Sequence, residues 1–484
     1  MSNFWDFSVW GSFNLFAVIL LSLLAASLLK KTIKLLQDSL IPTSVVGGGV
    51  LLLIGAIYKL ITKDVMFDTA FFGKNGSNVL EMLTYHTLAL GFIASAFTGS
   101  GQKLSKQRNI EIFNTGVTTV STYLVQAIAG LAVTIVAAYV IKGFFPAAGI
   151  LLPFGYGQGT GQALNYGNIF EQDFGFIGGK SFGLTVAAMG FLSAGIGGVI
   201  HMNISKDCKR LDISTQRGVT SEDKSTEKDI PIFENMDTLS VQVAFVTMAY
   251  LITYVVMYLL GNVVPGLKSV IFGFNFLLGV LMATLSKSVI NKLHQKNVLK
   301  KKYINDFLMV RIRNFFFDIM VVAGIAAIRL NALGKYLGIL LILGIVGLVI
   351  TYIYLRIVCK VLFKEYEQEQ FLAMYGMLTG TASTGIILLR EIDGEFKSPA
   401  ADNLVYQNFP AIIFGFPMMI IATMAPKMLG ITLLVIVAYF IVLNIVLFRS
   451  LILKNVNKNV VLWHDIHFNV PRNKLQSEPI YSMI

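Results

Sequence analysis

The stretch LLPFGYGQGTGQALNYG, residues 151–167, has glycine at five of its seventeen positions and carries no charged residue. It lies between two apolar runs of membrane-crossing length, at about 113–142 and 182–203. Backbone N–H and C=O groups cannot stay unpaired in hydrocarbon, so irregular chain at membrane depth persists only where protein buries it or water reaches it. The stretch therefore predicts a re-entrant hairpin that offers backbone groups to a solute.

The whole chain has the composition of a membrane protein. Its 484 residues are 55% hydrophobic and only 14% charged, and the mean hydropathy is +0.69. Soluble domains carry about 25% charged residues. The net charge of +12 is spread over short loops rather than collected on one soluble face. This distribution argues against nucleic acid as a partner and favours membrane lipid.

Apolar windows predict eleven transmembrane helices in an all-α polytopic fold. The predicted spans are 12–29, 40–62, 78–98, 113–142, 182–203, 238–260, 267–289, 304–330, 337–363, 404–424 and 431–449. Two segments rich in glycine, threonine and serine stay outside these spans, one near 150–167 and one near 372–391. Both are predicted to be re-entrant hairpins.

Loop charges predict the orientation in the membrane. With the amino terminus outside and both hairpins re-entrant, basic clusters such as KNVLKKK (296–302) face the cytoplasm. That arrangement obeys the positive-inside rule. If either hairpin crossed the bilayer, every later loop would be inverted. We therefore expect the carboxyl terminus to lie inside.

The order of the spans predicts an internal duplication. The second set of five begins about 225 residues after the first set, and the two hairpins are separated by a similar distance. Five crossings are an odd number, so the second copy must be inverted, an organisation typical of secondary transporters. The predicted units are a first repeat at 1–203, a cytoplasmic linker at 204–237, an inverted second repeat at 238–424, an additional helix at 425–449 and a cytoplasmic tail at 450–484.

The two hairpins supply the predicted binding residues, because hydroxyl and carbonyl oxygens suit a hard cation such as Na⁺ and free N–H groups suit an anion. Substrate binding is predicted for Gly157, Gln158, Gly159, Thr160, Gly161, Gln162, Thr381, Ser383, Thr384 and Arg390. Cation binding is predicted for Thr160, Thr379, Gly380, Thr381 and Asp318. The alternative is that the glycines only allow close helix crossings, or that the segments are ordinary loops.

Two of these residues are charged. Arg390 could bind a substrate carboxylate through two of its guanidinium nitrogens, or it could lie in a solvated cytoplasmic turn. Asp318 is the deepest acid in a predicted span and is therefore a functional candidate. Its alternative is an internal pair with Arg311 or Asn314, which lie on the same helical face.

The sequence gives little support for a metal site or for an enzyme. Two cysteines, Cys208 and Cys359, and the tail motif WHDIH (463–467) do not make a metal site, so no cofactor is expected beyond Na⁺ as coupling ion. The sequence has no HExxH helix, no paired aspartates at membrane depth and no serine with a plausible base. We therefore expect a protein that is not an enzyme.

The chain resembles the bacterial sodium/glutamate symporters. The resemblance rests on IPTSVVGGG (41–49), GQGTGQA (157–163), GTASTG (380–385) and the arrangement of spans. It implies dimers in a bacterial cytoplasmic (inner) membrane, in which a core moves against a scaffold. It implies binding roles for Gly157, Gln158, Gly159, Thr160 and Gly161 in the first hairpin, and for Gly380 and Thr384 in the second. Gln158 stands where a histidine is expected, and the eleventh helix and the tail are additional.

The function expected from this resemblance is sodium-coupled symport of L-glutamate or a related anionic amino acid by alternating access. The site would lie between the two hairpins, and the protein would be a homodimer. The alternative is a Na⁺- or H⁺-coupled carrier for another carboxylate, a dicarboxylate or a hydroxycarboxylate.

Overall fold

The structure is a computed structural model that describes residues 3–38, 40–98, 105–205, 237–265, 268–273, 275–298, 303–330, 334, 336–394 and 397–449. Apart from residues 204, 205 and 237, the predicted linker lies outside the described residues. The predicted tail at 450–484, with its WHDIH motif, also lies outside them.

All regular elements of the described residues are helical. The numbered helices are α1 (Phe7–Thr32), α2 (Thr43–Thr62), α3 (Gly76–Phe97), α4 (Lys106–Val140), α5 (Leu151–Phe174), α6 (Gly179–Ile204), α7 (Thr238–Val263), α8 (Asn275–Gln295), α9 (Asp306–Ala326), α10 (Leu337–Leu362), α11 (Glu367–Thr379), α12 (Ala382–Arg390), α13 (Ala400–Tyr406), α14 (Asn408–Met424) and α15 (Leu429–Leu447).

Within the described ranges, nine helices are long and apolar enough to cross a membrane. The bent pair α13 and α14, which meet at 51°, makes a tenth if it is one span. The chain is thus an all-helical, multi-pass membrane protein, as predicted. Helix α9 forms where a span was predicted, but Arg311, Arg313 and Asp318 keep it out of the nine. The count of eleven stays a prediction.

Polar side chains define several helix starts. The Ser105 hydroxyl accepts a hydrogen bond from the Arg108 backbone N–H at the start of α4, and Asp237 does the same at the start of α7. Asn305 Oδ1 accepts from Leu308 N at 3.0 Å at the start of α9. Each bond satisfies one of the donors that a helix start leaves without an intrahelical partner.

Helix α5 is broken at Gly159 and folds back on itself. Gly159 has φ +79° and ψ −171°, a conformation that is essentially restricted to glycine. The rings of Phe154 and Tyr166 stack with centroids 3.6 Å apart, although twelve residues of continuous helix would separate them by about 18 Å. At the open end, Phe145 stacks on Phe176 at 4.8 Å. We call 145–176 hairpin 1.

Helices α11 and α12 form a second hairpin, which turns at Gly380 and Thr381. A methyl group on Gly376 would lie 2.7 Å from Cα of Gly385, so the two half-helices are in backbone contact. Thr381 begins α12, and its hydroxyl accepts from Thr384 N at 3.4 Å. We call 367–390 hairpin 2.

The glycines of 155–162 differ from the expectation of irregular backbone, since only Gly159 leaves the helix. A methyl group on Gly155 would lie 2.8 Å from Ala187 N, and one on Gly161 would lie 2.6 Å from Leu88 Cδ1. Gly157 lies directly against the ring of Tyr123. These three glycines therefore allow helices to pack closely, which is the alternative considered for them.

Helices from the two predicted repeats interlock around the hairpins. Helix α2 packs on α9, and α8 packs on α3. Helix α6 packs on α10, and α14 packs on α4. Hairpin 1 lies along α4 and α6, and hairpin 2 contacts α6 and α10. The two hairpins are therefore held by helices from both halves of the chain.

Candidate functional site

The tips of the two hairpins meet. A methyl group on Gly159 would lie 3.6 Å from Thr381 Cγ2 and 3.8 Å from the carbonyl oxygen of Gly380. The two interruptions of helix, which lie more than 200 residues apart in the chain, thus face each other in the interior. Most of the predicted site residues are brought to this junction.

Four half-helices end or begin at the junction, and this decides its electrostatics. The first half of α5 and all of α11 end there, so their last carbonyl groups lie at the tips. The second half of α5 and all of α12 begin there, so their first N–H groups lie at the tips. Helix starts favour anions and helix ends favour cations. The junction therefore has groups for both kinds of ligand.

Thr160 anchors the tip of hairpin 1 to α9. Its hydroxyl donates to the carbonyl oxygen of Met320 at 3.4 Å, and a methyl group on Gly324 would lie 2.8 Å from Thr160 Cβ. In hairpin 2, the Thr379 hydroxyl donates to Tyr375 O at 2.6 Å. Both hydroxyl oxygens keep lone pairs that a cation could use.

Gln162 has the clearest signature of a ligand-binding side chain. It is 1% exposed, and neither its amide nitrogen nor its amide oxygen has a hydrogen-bond partner. An unpaired buried polar group costs about 1–3 kcal/mol. A native chain rarely leaves such a group without a reason, and a ligand that pairs with both amide atoms would remove that cost.

Helix α4 holds both tips by their backbone. Gln126 Nε2 donates to the carbonyl oxygen of Leu378 at 2.9 Å and to Thr351 Oγ1 at 2.8 Å. The Tyr123 hydroxyl donates to the carbonyl oxygen of Gly157 at 3.1 Å. Both accepting carbonyls lie within three residues of a tip, so α4 fixes the position of each.

Sequence reasoning missed Gln126, although a signal was present. Thr115, Thr119, Thr122 and Gln126 follow one another at helical spacing and share one face of α4. Thr115 contacts Gln370 near the start of α11, and Gln126 contacts its last turn. A polar stripe on a helix that is otherwise apolar predicts a face turned towards another polar element.

Two predicted residues lie away from the tips. Arg390 is exposed at the end of α12, nine residues or about 13 Å along the helix from Thr381. Asp318 accepts a hydrogen bond from the Ser44 hydroxyl on α2. It lies two positions from Met320, which contacts Thr160, and two positions in a helix point to nearly opposite faces. The roles of Arg390 and Asp318 stay predictions.

The remaining predicted residues occupy the tips with different degrees of burial. Thr384 is fully buried, and Gln158 and Thr381 are half-buried. Ser383 follows the turn of hairpin 2, and its side chain lies outside what the structure describes. Arg311, proposed as a partner for Asp318, instead stacks over the Phe307 ring at 4.8 Å.

Ion pairs close the bases of both hairpins. Beside hairpin 1, Lys180 Nζ lies 2.8 Å and Arg329 NH2 lies 3.2 Å from the Glu81 carboxylate. Beside hairpin 2, the Tyr366 hydroxyl donates to Glu111 Oε2 at 2.9 Å. Burial raises the pKa of the Tyr366 phenol, so this hydroxyl stays protonated and keeps donating.

Glu111 also pairs with Arg108, and Arg356 pairs with Glu367 at the start of α11. A cavity of about 180 Å³ opens at this base and is lined by Gln107, Glu111 and residues 361–366. A second cavity, of about 270 Å³, lies between α2 and the chain that follows α9, away from the tips.

The fold and site define a multi-pass helical membrane protein in which two helical hairpins meet tip to tip. No protein-family model matches the chain, and no curated protein is similar enough in sequence to be matched. Membership of the sodium/glutamate symporter family is therefore a proposal.

Proposed function

We propose that the chain is a secondary active transporter, a diverged relative of the sodium/glutamate symporters, and that it carries L-glutamate or a related anionic amino acid together with Na⁺. The observation that carries this proposal is the contact of Gly159 with Gly380 and Thr381. Broken helices that meet in the interior of a membrane protein present unpaired backbone groups to a solute, and transporters build their sites in this way.

The proposed transporter is an inverted repeat, and two matching contacts support it. A methyl group on Gly48 would lie 2.8 Å from Ile325, and one on Gly279 would lie 2.8 Å from Ile93. Gly279 follows Gly48 by 231 positions, and Ile325 follows Ile93 by 232. An inverted duplication would produce such a pair of contacts, one made from each repeat to the other.

The two kinds of helix end determine where each proposed ligand binds. Substrate carboxylates bind the N–H groups that begin the second half of α5 and α12, and the amide of Gln162 pairs with polar atoms of the substrate. The coupling cation binds carbonyl and hydroxyl oxygens near Thr379 and Thr160. Each ligand reduces the electrostatic cost of the other, which couples their binding.

Alternating access requires that the loaded junction open to one side at a time. The basic loops favour an amino terminus outside and a carboxyl terminus inside a bacterial cytoplasmic membrane. The homodimer belongs to the proposal through the family resemblance alone.

Uptake by purified protein in sealed proteoliposomes tests the proposed function. Labelled L-glutamate should accumulate with an inward Na⁺ gradient and not with an equal K⁺ gradient, and protein-free vesicles supply the background. Accumulation driven by an inward H⁺ gradient alone would replace Na⁺ with H⁺ as coupling ion. If no gradient drives glutamate uptake, labelled dicarboxylates and hydroxycarboxylates are tested in the same vesicles. Uptake of none of them would reject the proposal that the protein is a carrier.

A further inference from the structure

Three buried side-chain amides line α11 and leave their oxygens unused. Asn403, Gln407 and Gln126 are 0%, 2% and 0% exposed. Their side-chain oxygens have no hydrogen-bond partner. Three such groups along one short helix are unusual, because most buried polar atoms in proteins are paired.

The three amides are spaced along α11 from its start to its tip. Asn403 Nδ2 donates to Gln370 Oε1 at 2.9 Å, near the start of the helix. Gln407 Nε2 contacts Met377 Sδ at 3.3 Å, and Gln126 Nε2 donates to the carbonyl oxygen of Leu378 at 2.9 Å. In each case the NH₂ group is bound to α11 or its side chains, and the oxygen is left free.

The row begins next to the cavity at the base of hairpin 2. Asn403 Nδ2 donates to the Tyr366 hydroxyl at 3.1 Å, and that hydroxyl donates to Glu111 Oε2. Tyr366 and Glu111 both line the cavity of about 180 Å³. Asn403 thus lies beside this cavity, and Gln407 and Gln126 contact α11 further along, towards its last turn at the junction.

We propose that these oxygens line the route by which the coupling Na⁺ passes between the hairpin junction and the cytoplasmic cavity. This inference rests on the proposed function, since it names the path of the coupling ion. Amide oxygens are suitable ligands for Na⁺. A row of neutral ligands binds a cation strongly enough to admit it and weakly enough to release it. The threonine side chains on one face of α4 add hydroxyl oxygens beside the same row of amides.

The chemistry also explains the absence of acids in the row. The side chains whose oxygens form the row, Asn403, Gln407 and Gln126, are all amides, and the acids of α11, Glu367 and Glu369, lie in its first turn. A carboxylate in this row would bind a cation too firmly for rapid release. Glu111, at the mouth, is paired with Arg108 and 17% exposed, so its charge is largely compensated.

The test compares net uptake with exchange in proteoliposomes. Asn403→Leu and Gln407→Leu each remove one oxygen of the row, at a distance from the hairpin turns. Thr432→Val is the matched control, since the Thr432 hydroxyl is equally buried and unpaired but lies on α15. Net uptake requires Na⁺ to leave the protein inside the vesicle. Exchange of labelled for unlabelled glutamate, with high Na⁺ on both sides, does not.

The expected result is a selective loss. Net uptake should fall roughly tenfold in Asn403→Leu and Gln407→Leu, the effect of removing one ligand of a cation. Exchange, the substrate KM and the thermal stability should stay close to wild type, and Thr432→Val should change none of them.

Two results with these variants would overturn the proposed route. Net uptake at the wild-type rate in both variants would show that Na⁺ leaves elsewhere. An equal fall of net uptake and exchange would show that the amides only support the fold. Wild-type uptake without Na⁺ dependence would reject the proposed function itself, and the route with it, before any variant is compared.

Discussion

Replacing Gly159 by alanine tests whether the conformation of the hairpin 1 tip is needed for transport. Gly159 has φ +79° and ψ −171°, in a region that side chains other than hydrogen rarely enter. Space is not the obstacle, because the new methyl group would lie 3.6 Å from Thr381 Cγ2, an ordinary contact. The substitution thus isolates the cost of the backbone conformation.

That cost is about 1–3 kcal/mol for one residue in such a region. At about 1.4 kcal/mol per factor of ten, the population of the observed tip falls roughly 5- to 150-fold relative to alternatives. We expect uptake of labelled substrate by Gly159→Ala to fall within this range, with normal insertion in the membrane.

Gly175→Ala is the matched control. Gly175 ends the same helix, has φ +69° and has open space around it. It therefore carries a similar backbone cost of about 1–2 kcal/mol away from the junction. Both variants should lower the thermal unfolding temperature, and only Gly159→Ala should lose transport. Wild-type uptake in Gly159→Ala would refute the reasoning, because the tip conformation would then not matter.

Three further substitutions follow from the same contacts. Gln162→Leu removes two unpaired buried atoms and should stabilise the substrate-free protein by about 1–3 kcal/mol in thermal unfolding, while it weakens substrate binding in competition uptake. Gly385→Ala should destabilise by about 1–3 kcal/mol, since its methyl group meets the facing half-helix; Gly430→Ala, which meets nothing within 4 Å, should not. Tyr156→Phe removes a buried hydroxyl that donates to the Gly344 carbonyl at 2.6 Å and contacts Ser193 Oγ at 2.9 Å, and should lower stability by about 1 kcal/mol. Unchanged melting curves would contradict each expectation.

Hydropathy predicted the helical membrane class well because lipid imposes one simple demand, an apolar run of sufficient length. It predicted the two hairpins for a related reason, since Gly159 and Gly380 interrupt segments that lie between such runs. The contact between these two glycines is not a local property. It depends on how α4 positions both hairpins and α9 positions hairpin 1, which no single stretch of sequence encodes.

Two features of the hairpins could not be read from short stretches of sequence, for a common physical reason. Alternating glycine and polar residues at 155–162 suggest irregular backbone, but a helix also needs small residues where it meets Tyr123 or Leu88. Arg390 follows the second hairpin closely in sequence, yet nine residues of α12 carry it away from the turn. Short-range patterns do not distinguish a glycine needed for its backbone from one needed for packing.

The two bonds from α4 to the hairpins constrain how the proposed transporter can move. Tyr123 holds the Gly157 carbonyl and Gln126 holds the Leu378 carbonyl, so both tips are fastened to one helix. Separating the tips to admit substrate would break at least one of these bonds in the interior and leave a buried group unpaired, at a cost of about 1–3 kcal/mol. A motion in which α4 carries both tips together keeps both bonds. That motion would open the junction to each side of the membrane in turn without separating the two tips, and it is therefore the less costly route to alternating access.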